Sequence, residues 1–342
     1  MIRDADKLLE RIRAIHTVIR DAIVWECEQT AIERLAAPVA EEAGDTIFAI
    51  DRISEHVLLE RFAALATEWP CVLIAEGLGA DGTTVLPPGA NPDRAELRII
   101  VDPIDGTRGL MYQKRPAWIL TGVAPNKGLR TGLADIELAV MTEIPLVKQH
   151  LCDSFWAIAG QGAVGERVNR LTGERVALRP RPSQAPGIAQ GYGGIARFFP
   201  GARDVLAAIE EALIDRVLGP QPPGVALAFE DQYISTGGQL YELIMGHDRW
   251  IADLRPLAET ILRQRGKRLG LCCHPYDLCT ELVAREAGVL VTDVRGQRLD
   301  APLDVSSDLA WVGYANPAVY AQVAPVLGAL LVEHGLLPEH TD

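Results

Sequence analysis

Two short apolar runs end in acids, and this pattern constrains the chain more than any other. Leu97-Arg98-Ile99-Ile100-Val101 stops at Asp102, and Cys71-Val72-Leu73-Ile74-Ala75 stops at Glu76. Runs of this length and composition suit buried strands. An acid at the end of such a strand projects from the end of the sheet, where α/β proteins place their sites. Asp105 follows Asp102 closely, with Pro103 stiffening the link and Gly106 permitting tight backbone geometry behind it. Two carboxylates so close repel each other unless a cation lies between them. All-oxygen donors suit Mg²⁺ or Mn²⁺, whereas zinc calls for His or Cys. Gly106-Thr107 leads into a predicted short helix whose opening N–H groups suit a phosphate oxygen. Taken alone, Asp-x-x-Asp-Gly also reads as a surface turn. The ligand spacing of an EF-hand calcium loop is absent.

The global properties narrow the partners. A chain of 342 residues, 48% of them apolar, is long enough for one large globular domain or two packed ones. Its formal charge of −13 disfavours nucleic acid polymers and anionic membranes as partners. An anionic substrate then needs a local cation, and bound metal is the simplest source. The six cysteines form no CxxC pair and read as reduced, mostly buried thiols. The charged opening Met1-Ile2-Arg3-Asp4-Ala5-Asp6 contains no secretory signal, and no apolar run approaches the ~20 residues of a membrane span. A cytoplasmic location is expected.

Apolar spacing predicts an amphipathic helix over residues 5–30, a strand at 46–50, a second helix after Asp51 and strands at 71–75 and 97–101. Residues 79–95 read as an exposed loop and 160–165 as a glycine-punctuated turn. Strand-like runs at 118–124, 135–142, 151–158 and 175–178 predict an antiparallel sheet. The proline- and glycine-rich stretch 179–194 reads as a linker. Beyond it, helical patterns at 202–217, 237–246, 254–265, 277–287 and 316–335 alternate with short strands near 225–229, 269–273, 289–293 and 309–313. The expected organisation is an α+β domain over residues 1–182 carrying most of the site and an α/β domain over 183–342 closing it.

Asp102-Pro103-Ile104-Asp105-Gly106-Thr107 resembles the motif of the inositol monophosphatase family, within a lithium-sensitive superfamily that includes fructose-1,6-bisphosphatases and bisphosphate nucleotidases. Three further segments fall in that family's order. They are Asp45-Thr46-Ile47-Phe48-Ala49-Ile50-Asp51 with Ser54-Glu55, then Leu73-Ile74-Ala75-Glu76-Gly77, then His274-Pro275-Tyr276-Asp277 running into Glu286-Ala287-Gly288. The resemblance implies a layered α/β/α/β/α sandwich and a phosphomonoesterase acting on an inositol, cyclitol or sugar phosphate. It implies two or three Mg²⁺ ions, with Mn²⁺ as a substitute, and a homodimer. It places Glu76, Asp102 and the Ile104 carbonyl on one metal and Asp102, Asp105 and Asp277 on a second, with Glu76 near a third. Asp51 and Thr107 would orient and deprotonate the attacking water, and Gly106 and Thr107 N–H groups would hold the phosphate.

The bland reading of Asp277 is a helix N-cap, and His274 reads as a packed or supporting residue. The chain departs from the family at Gly77, where a second Glu is usual, at Tyr276, Phe48 and Cys279-Thr280-Glu281, and in a basic stretch between Trp250 and His274. That stretch contains Arg255, Arg263, Arg265, Lys267 and Arg268 and reads as a solvated face or as a contact to a second anionic group. Arg108-Gly109 resembles the bisphosphate nucleotidases at this position. The alternatives are therefore a 3′(2′),5′-bisphosphate nucleotidase with the same chemistry and a catalytically silent metal- and phosphate-binding protein. The Asp-x-Asp spacing of haloacid-dehalogenase-type phosphatases is missing at the site.

Overall fold

The computed structural model describes the backbone of residues 1–30, 38–42, 45–78, 81–220 and 222–338, and the side chains of those residues outside 31–55. The first helix, α1 (Ala5–Gln29), follows from its sequence. Leu8, Leu9, Ile12, Ile15, Ile19 and Ile23 recur at helical spacing and are all buried. A ribbon of β1 (Pro38–Glu42) and β2 (Asp45–Phe48) leads into α2 (Ala49–Leu65).

An eight-stranded sheet follows. Its strands are β3 (Cys71–Ile74), β4 (Thr83–Leu86), β5 (Leu97–Asp105), β6 (Ala117–Pro125), β7 (Leu138–Ile144), β8 (Leu151–Ile158), β9 (Ala163–Asn169) and β10 (Arg175–Leu178). They are ordered β10-β9-β8-β7-β6-β5-β3-β4. Only β3 and β5 pair in parallel; all other neighbours are antiparallel. The short helix α3 (Thr107–Met111) closes the end of β5.

A second, five-stranded sheet is ordered β12-β11-β13-β15-β14. It comprises β11 (Gly191–Ile195), β12 (Ala228–Phe229), β13 (Asp248–Asp253), β14 (Leu290–Thr292) and β15 (Trp311–Tyr314). Its helices are α4 (Arg203–Leu218), α5 (Thr236–Ile244), α6 (Glu259–Gln264), α7 (Pro275–Leu278), α8 (Glu281–Glu286) and α9 (Pro317–Glu333).

Alternation along the strands builds five layers. Leu97, Ile99 and Val101 of β5 pack with α1 and α2. Ile100 faces the other way, into a core shared with Leu240 and Leu243 of α5, Leu278 of α7, Leu282 of α8 and Trp311 of β15. On the far side of the second sheet, Trp250, Ala252 and Val312 pack with Leu206 and Ile209 of α4 and Val323 and Leu327 of α9. This is the expected α/β/α/β/α sandwich.

Several expectations need correction. The loop at 79–95 contains the edge strand β4 and a turn of 3₁₀ helix at Pro92–Arg94; Gly79 and Ala80 lie outside the described residues. The turn at 160–165 is half strand, since β9 begins at Ala163. The linker 179–194 ends inside β11. There the glycines serve packing: a Cβ on Gly193 would lie 2.5 Å from the Trp250 ring. The helix at 254–265 is a 3₁₀ turn followed by α6. No strand forms at 269–273; Cys273 makes a single bridge to Leu309 instead. β13 went unpredicted because its charged residues, Asp248, Arg249 and Asp253, break the apolar pattern.

One polar contact fastens α1 to the first sheet. The buried His16 ring bonds Thr121 Oγ1 through Nε2 (2.8 Å) and Thr142 Oγ1 through Nδ1 (3.0 Å). Burial holds its pKa down at about 3. The unfolded chain takes up that proton near pH 6.5. His16 therefore contributes stability that is complete above about pH 6.5 and is lost as the pH falls toward 3, with a slope of up to ~1.4 kcal/mol per pH unit. The expected result for His16→Gln is a flatter stability profile between pH 6 and 4 than the native chain shows in urea denaturation.

Candidate active site

Asp102 and Asp105 stand three positions apart, so a regular strand would send them to opposite faces. A bulge corrects this. Asp102 faces Leu120 and Asp105 faces Trp118 on β6, so β5 advances three residues where β6 advances two. The extra residue restores a common face. Pro103 sits inside the bulge, where its missing N–H costs no ladder bond.

Asp277 reaches the same face from the second half of the chain. Carboxylate oxygens of Asp102, Asp105 and Asp277 all lie within 4.8 Å of one another. Each is oriented by a donor. Ile104 N–H donates to Asp102 Oδ1 (2.9 Å), and His274 N–H donates to Asp277 Oδ2 (2.6 Å). Asp105, only 6% exposed, accepts from Ser235 Oγ (2.8 Å), Gly237 N–H (2.5 Å) and Thr236 N–H (3.3 Å). The N-cap reading of Asp277 is corrected here: His274 is the cap of α7, and Asp277, in the first turn, reaches back to it.

The electrostatics match a cation site. Burial, then the charges of Asp105 and Asp277, push the Asp102 carboxyl well above the usual range, against the pull of the Ile104 N–H. Burial and then Asp277 raise Asp105 to about 7, although Ser235, Gly237 and Thr236 oppose the shift. Three convergent carboxylates, Asp102 and Asp277 each held by one donor and Asp105 by donors on both oxygens, fit the all-oxygen donor set of a hard divalent cation.

Glu76 lies just past β3. In the parallel register Cys71 faces Leu97 and Ile74 faces Ile100, and the chain then turns at Glu76. Its side chain is exposed, and its charge acts on both Asp102 and His274. Thr107 Oγ1 donates to the Ile104 carbonyl (2.8 Å), joining two more of the expected residues. Gly106 adopts φ +95°, and a Cβ there would lie 2.9 Å from Ser235 Cβ. Asp51 is on α2, but its side chain lies outside the described residues, as do those of Asp45, Ser54 and Glu55.

His274 flanks the carboxylate cluster, its Nδ1 3.7 Å from Asp277 Oδ2. Its ring stacks on Tyr276 (centroids 5.2 Å, 10°) and its Nε2 lies 3.5 Å from Asp308. All six cysteines are buried free thiols. Of the basic stretch, Arg263 pairs with Glu259 and Arg265 with Asp204, while Arg255 pairs with buried Asp253. The sequence reading missed Ser235, Thr236 and Gly237. Ser235 does carry a local signal, since it caps α5 by accepting from Gly238 N–H.

Solved structures of the same shape are known. The chain superposes on fructose-1,6-bisphosphatase of Leishmania major with a TM-score of 0.67 at 13% identity, covering 96% of this chain and 95% of that one. It matches the extragenic suppressor protein SuhB of Bartonella henselae (TM-score 0.62, 13% identity, 94% and 98% covered). It also matches an inositol monophosphatase of Thermotoga maritima (TM-score 0.60, 16% identity, 95% and 100% covered). This chain has the inositol monophosphatase and fructose-1,6-bisphosphatase fold. No protein-family model matches the sequence, and no curated protein does. Within this fold, the two acids of β5 and the acid of α7 meet at the seam between the two sheets.

Two outcomes are expected. A cation entering the cluster displaces protons held by the raised carboxyls. Adding Mg²⁺ to metal-free protein near pH 7 should release protons into a weak buffer, with affinity rising as the pH rises. Gly237→Ala would place a methyl 2.6 Å from Leu120 Cδ2 and 3.0 Å from Asp105 Oδ2. It should weaken Mg²⁺ binding by ~10- to 100-fold, the usual effect of losing a ligand's support, measured by calorimetry.

Proposed function

We propose that this protein is a Mg²⁺-dependent phosphomonoesterase of a small phosphorylated metabolite such as an inositol, cyclitol or sugar phosphate. The observation that carries this reading is the convergence of Asp102, Asp105 and Asp277 within 4.8 Å, beside the Gly106–Thr107 turn. Its support is the fold shared with proteins named as inositol monophosphatases and a fructose-1,6-bisphosphatase. In this reading Glu76, Asp102 and the Ile104 carbonyl hold one ion, and Asp102, Asp105 and Asp277 hold another, with Mn²⁺ able to substitute. Divalent cations there supply Lewis acidity, which activates water and offsets charge on the phosphoryl oxygens.

The protein's own groups do the rest. The Thr107 hydroxyl, held against the Ile104 carbonyl, and Asp51 on α2 orient the attacking water, and Asp51 receives its proton. N–H groups of Gly106 and Thr107 bind the phosphate. Donors from Ser235 and Gly237 fix the Asp105 carboxylate, so little reorganisation accompanies the reaction. Water attacks phosphorus directly as the ester P–O bond breaks, the departing alcohol oxygen takes a proton from solvent, and no phosphoenzyme forms. The reading extends to lithium inhibition, a homodimer and a cytoplasmic location.

A 3′(2′),5′-bisphosphonucleotide is the second reading, favoured by one observation. Phe198 and Phe199 form a half-exposed aromatic pair (centroids 6.2 Å), and Arg108 lies over Phe199. A ring of this kind suits a base.

The decisive measurement is phosphate release with Mg²⁺ from inositol phosphates, hexose mono- and bisphosphates, histidinol phosphate and the bisphosphonucleotide. Asp105→Asn should lower turnover by at least ~100-fold with the circular dichroism spectrum unchanged, since a ligand matters more than its support. Unchanged turnover would sink the metal assignment. Millimolar Li⁺ should inhibit. A chain that binds Mg²⁺ and phosphate but releases none from any ester is the catalytically silent binder.

A further inference from the structure

The face of the first sheet that meets α1 carries one polar row among its apolar residues. Thr142 on β7 faces Ser154 on β8, and Ser154 faces Glu166 on β9. By alternation the row shares its face with Val140 and Ile144, which pack under α1. The helix answers with a polar stripe of its own, in which Glu10, Arg13, Thr17 and Arg20 recur at helical spacing. Between row and stripe lies a cavity of about 280 Å³, whose wall also includes Arg175 of β10. Sites for small organic ligands begin at roughly 300 Å³. The cavity is on the opposite face of the sheet from Asp102.

The charges around it balance, yet their bonding capacity is not used up. Arg13 Nη1 donates to Glu10 Oε1 (2.7 Å), and its Nη2 lies 2.9 Å from Glu166 Oε1. Arg175 Nη1 donates to that same Glu166 oxygen (2.6 Å). Arg20 donates to Asp21 Oδ1 through Nε (2.9 Å) and Nη2 (2.7 Å), while its Nη1 reaches only the Cys152 Sγ at 3.5 Å. Three guanidiniums thus stand with three carboxylates, and the group is neutral. Glu10 and Glu166 each take these bonds on Oε1, which leaves Oε2 of both able to accept. On the cationic side, Arg13 Nε is buried with no acceptor, and the guanidinium is fixed 3.7 Å from the Trp156 ring centroid. The Arg20 side chain is only 7% exposed, and a thiol is a weak acceptor for its Nη1. Buried donors left in this state call for a partner.

Both signs are therefore open at once, and this decides what fits. A simple anion would satisfy the arginines and be repelled by Glu10 and Glu166. A simple cation would meet the reverse. A molecule carrying both charges engages both sets and adds no net charge to a neutral, partly buried site. We infer that this cavity binds a small zwitterion, a free amino acid whose carboxylate meets Arg13 Nε, Arg20 and Arg175 and whose ammonium meets the open oxygens of Glu10 and Glu166. Thr17, Thr142 and Ser154 line the remainder, which favours a polar side chain. The site is separate from the carboxylate cluster and does not rest on the phosphatase reading.

The test is calorimetric titration of the full chain with L-serine and L-glutamine, two polar amino acids of different size. At least one should bind with a dissociation constant of ~1 mM or tighter, which two charge-assisted bonds sustain. For L-glutamine the same molecule without its ammonium, glutaramate, and without its carboxylate, γ-aminobutyramide, should each bind about tenfold more weakly or worse. Arg20→Gln should weaken amino acid binding by about tenfold. Because Arg20 is buried and its loss threatens the fold, two variants at exposed positions accompany it. Arg175→Gln removes one guanidinium that is half exposed, and Ala14→Phe obstructs the cavity without removing a charge. Both should weaken binding about tenfold or more, whereas Arg216→Gln, on the surface of α4 and paired with Glu333, should leave it unchanged. Failure of both amino acids to bind overturns the inference. So does glutaramate binding as tightly as L-glutamine, or an affinity unaltered in both Arg175→Gln and Ala14→Phe.

Discussion

The mutual repulsion of three carboxylates is the constraint on which the rest of this structure depends. Left to themselves, Asp102, Asp105 and Asp277 would not stay within 4.8 Å of one another. Each is held there by a different device. The β5 bulge turns Asp102 and Asp105 to one face, the Ile104 N–H fixes Asp102, and the cap of α7 fixes Asp277. Asp105 needs most help, being the most buried, and receives three donors from a single helix start.

That helix start explains why the two sheets have to meet where they do. α5 belongs to the second half of the chain, yet its cap is spent on an acid of the first sheet. Ser235 Oγ serves both at once, accepting from Gly238 N–H and donating to Asp105. Close approach is what makes this possible. Gly106 and Gly237 lie against Ser235 and Asp105 with no room for a side chain at either position. The shared core beneath, with Leu120 and Trp118 of β6 against Leu240 and Leu243 of α5, sets the spacing. The site is thus assembled by packing between halves and could not be built from the β5 turn alone.

How much of this was legible beforehand follows from the range of each interaction. Asp102 and Glu76 could be read because an apolar strand ending in an acid is a local pattern, and in the fold the charge of Glu76 acts on Asp102. Long helices such as α1 declared themselves through their period. Asp277 could be read only through a resemblance, because nothing near it in sequence announces a partner on β5. Ser235 was invisible as a site residue because its bond to Asp105 spans 130 positions. β13 was missed for a related reason: Asp253 is buried by virtue of Arg255, and a pattern that scores charge as exposure reads such a strand as surface.

The two faces of the first sheet treat titratable groups in opposite ways, and the contrast bears on how metal and fold are linked. Under α1, His16 is kept neutral by burial and bonds two threonine hydroxyls, so that face asks for no ion. On the other face, a carboxyl raised to about 7 is a standing demand for a positive charge. The folded value of Asp105 lies above its unfolded one, so the metal-free fold loses stability as the pH rises from about 4 through 7. A cation that binds only the folded cluster returns stability as RT ln(1 + [L]/Kd), ~2.7 kcal/mol at a hundredfold excess over Kd. Because Asp105 is tied to α5 and Asp277 to α7, that energy is felt across the seam between the sheets. A cation bound there would therefore act as a clasp on the layered fold.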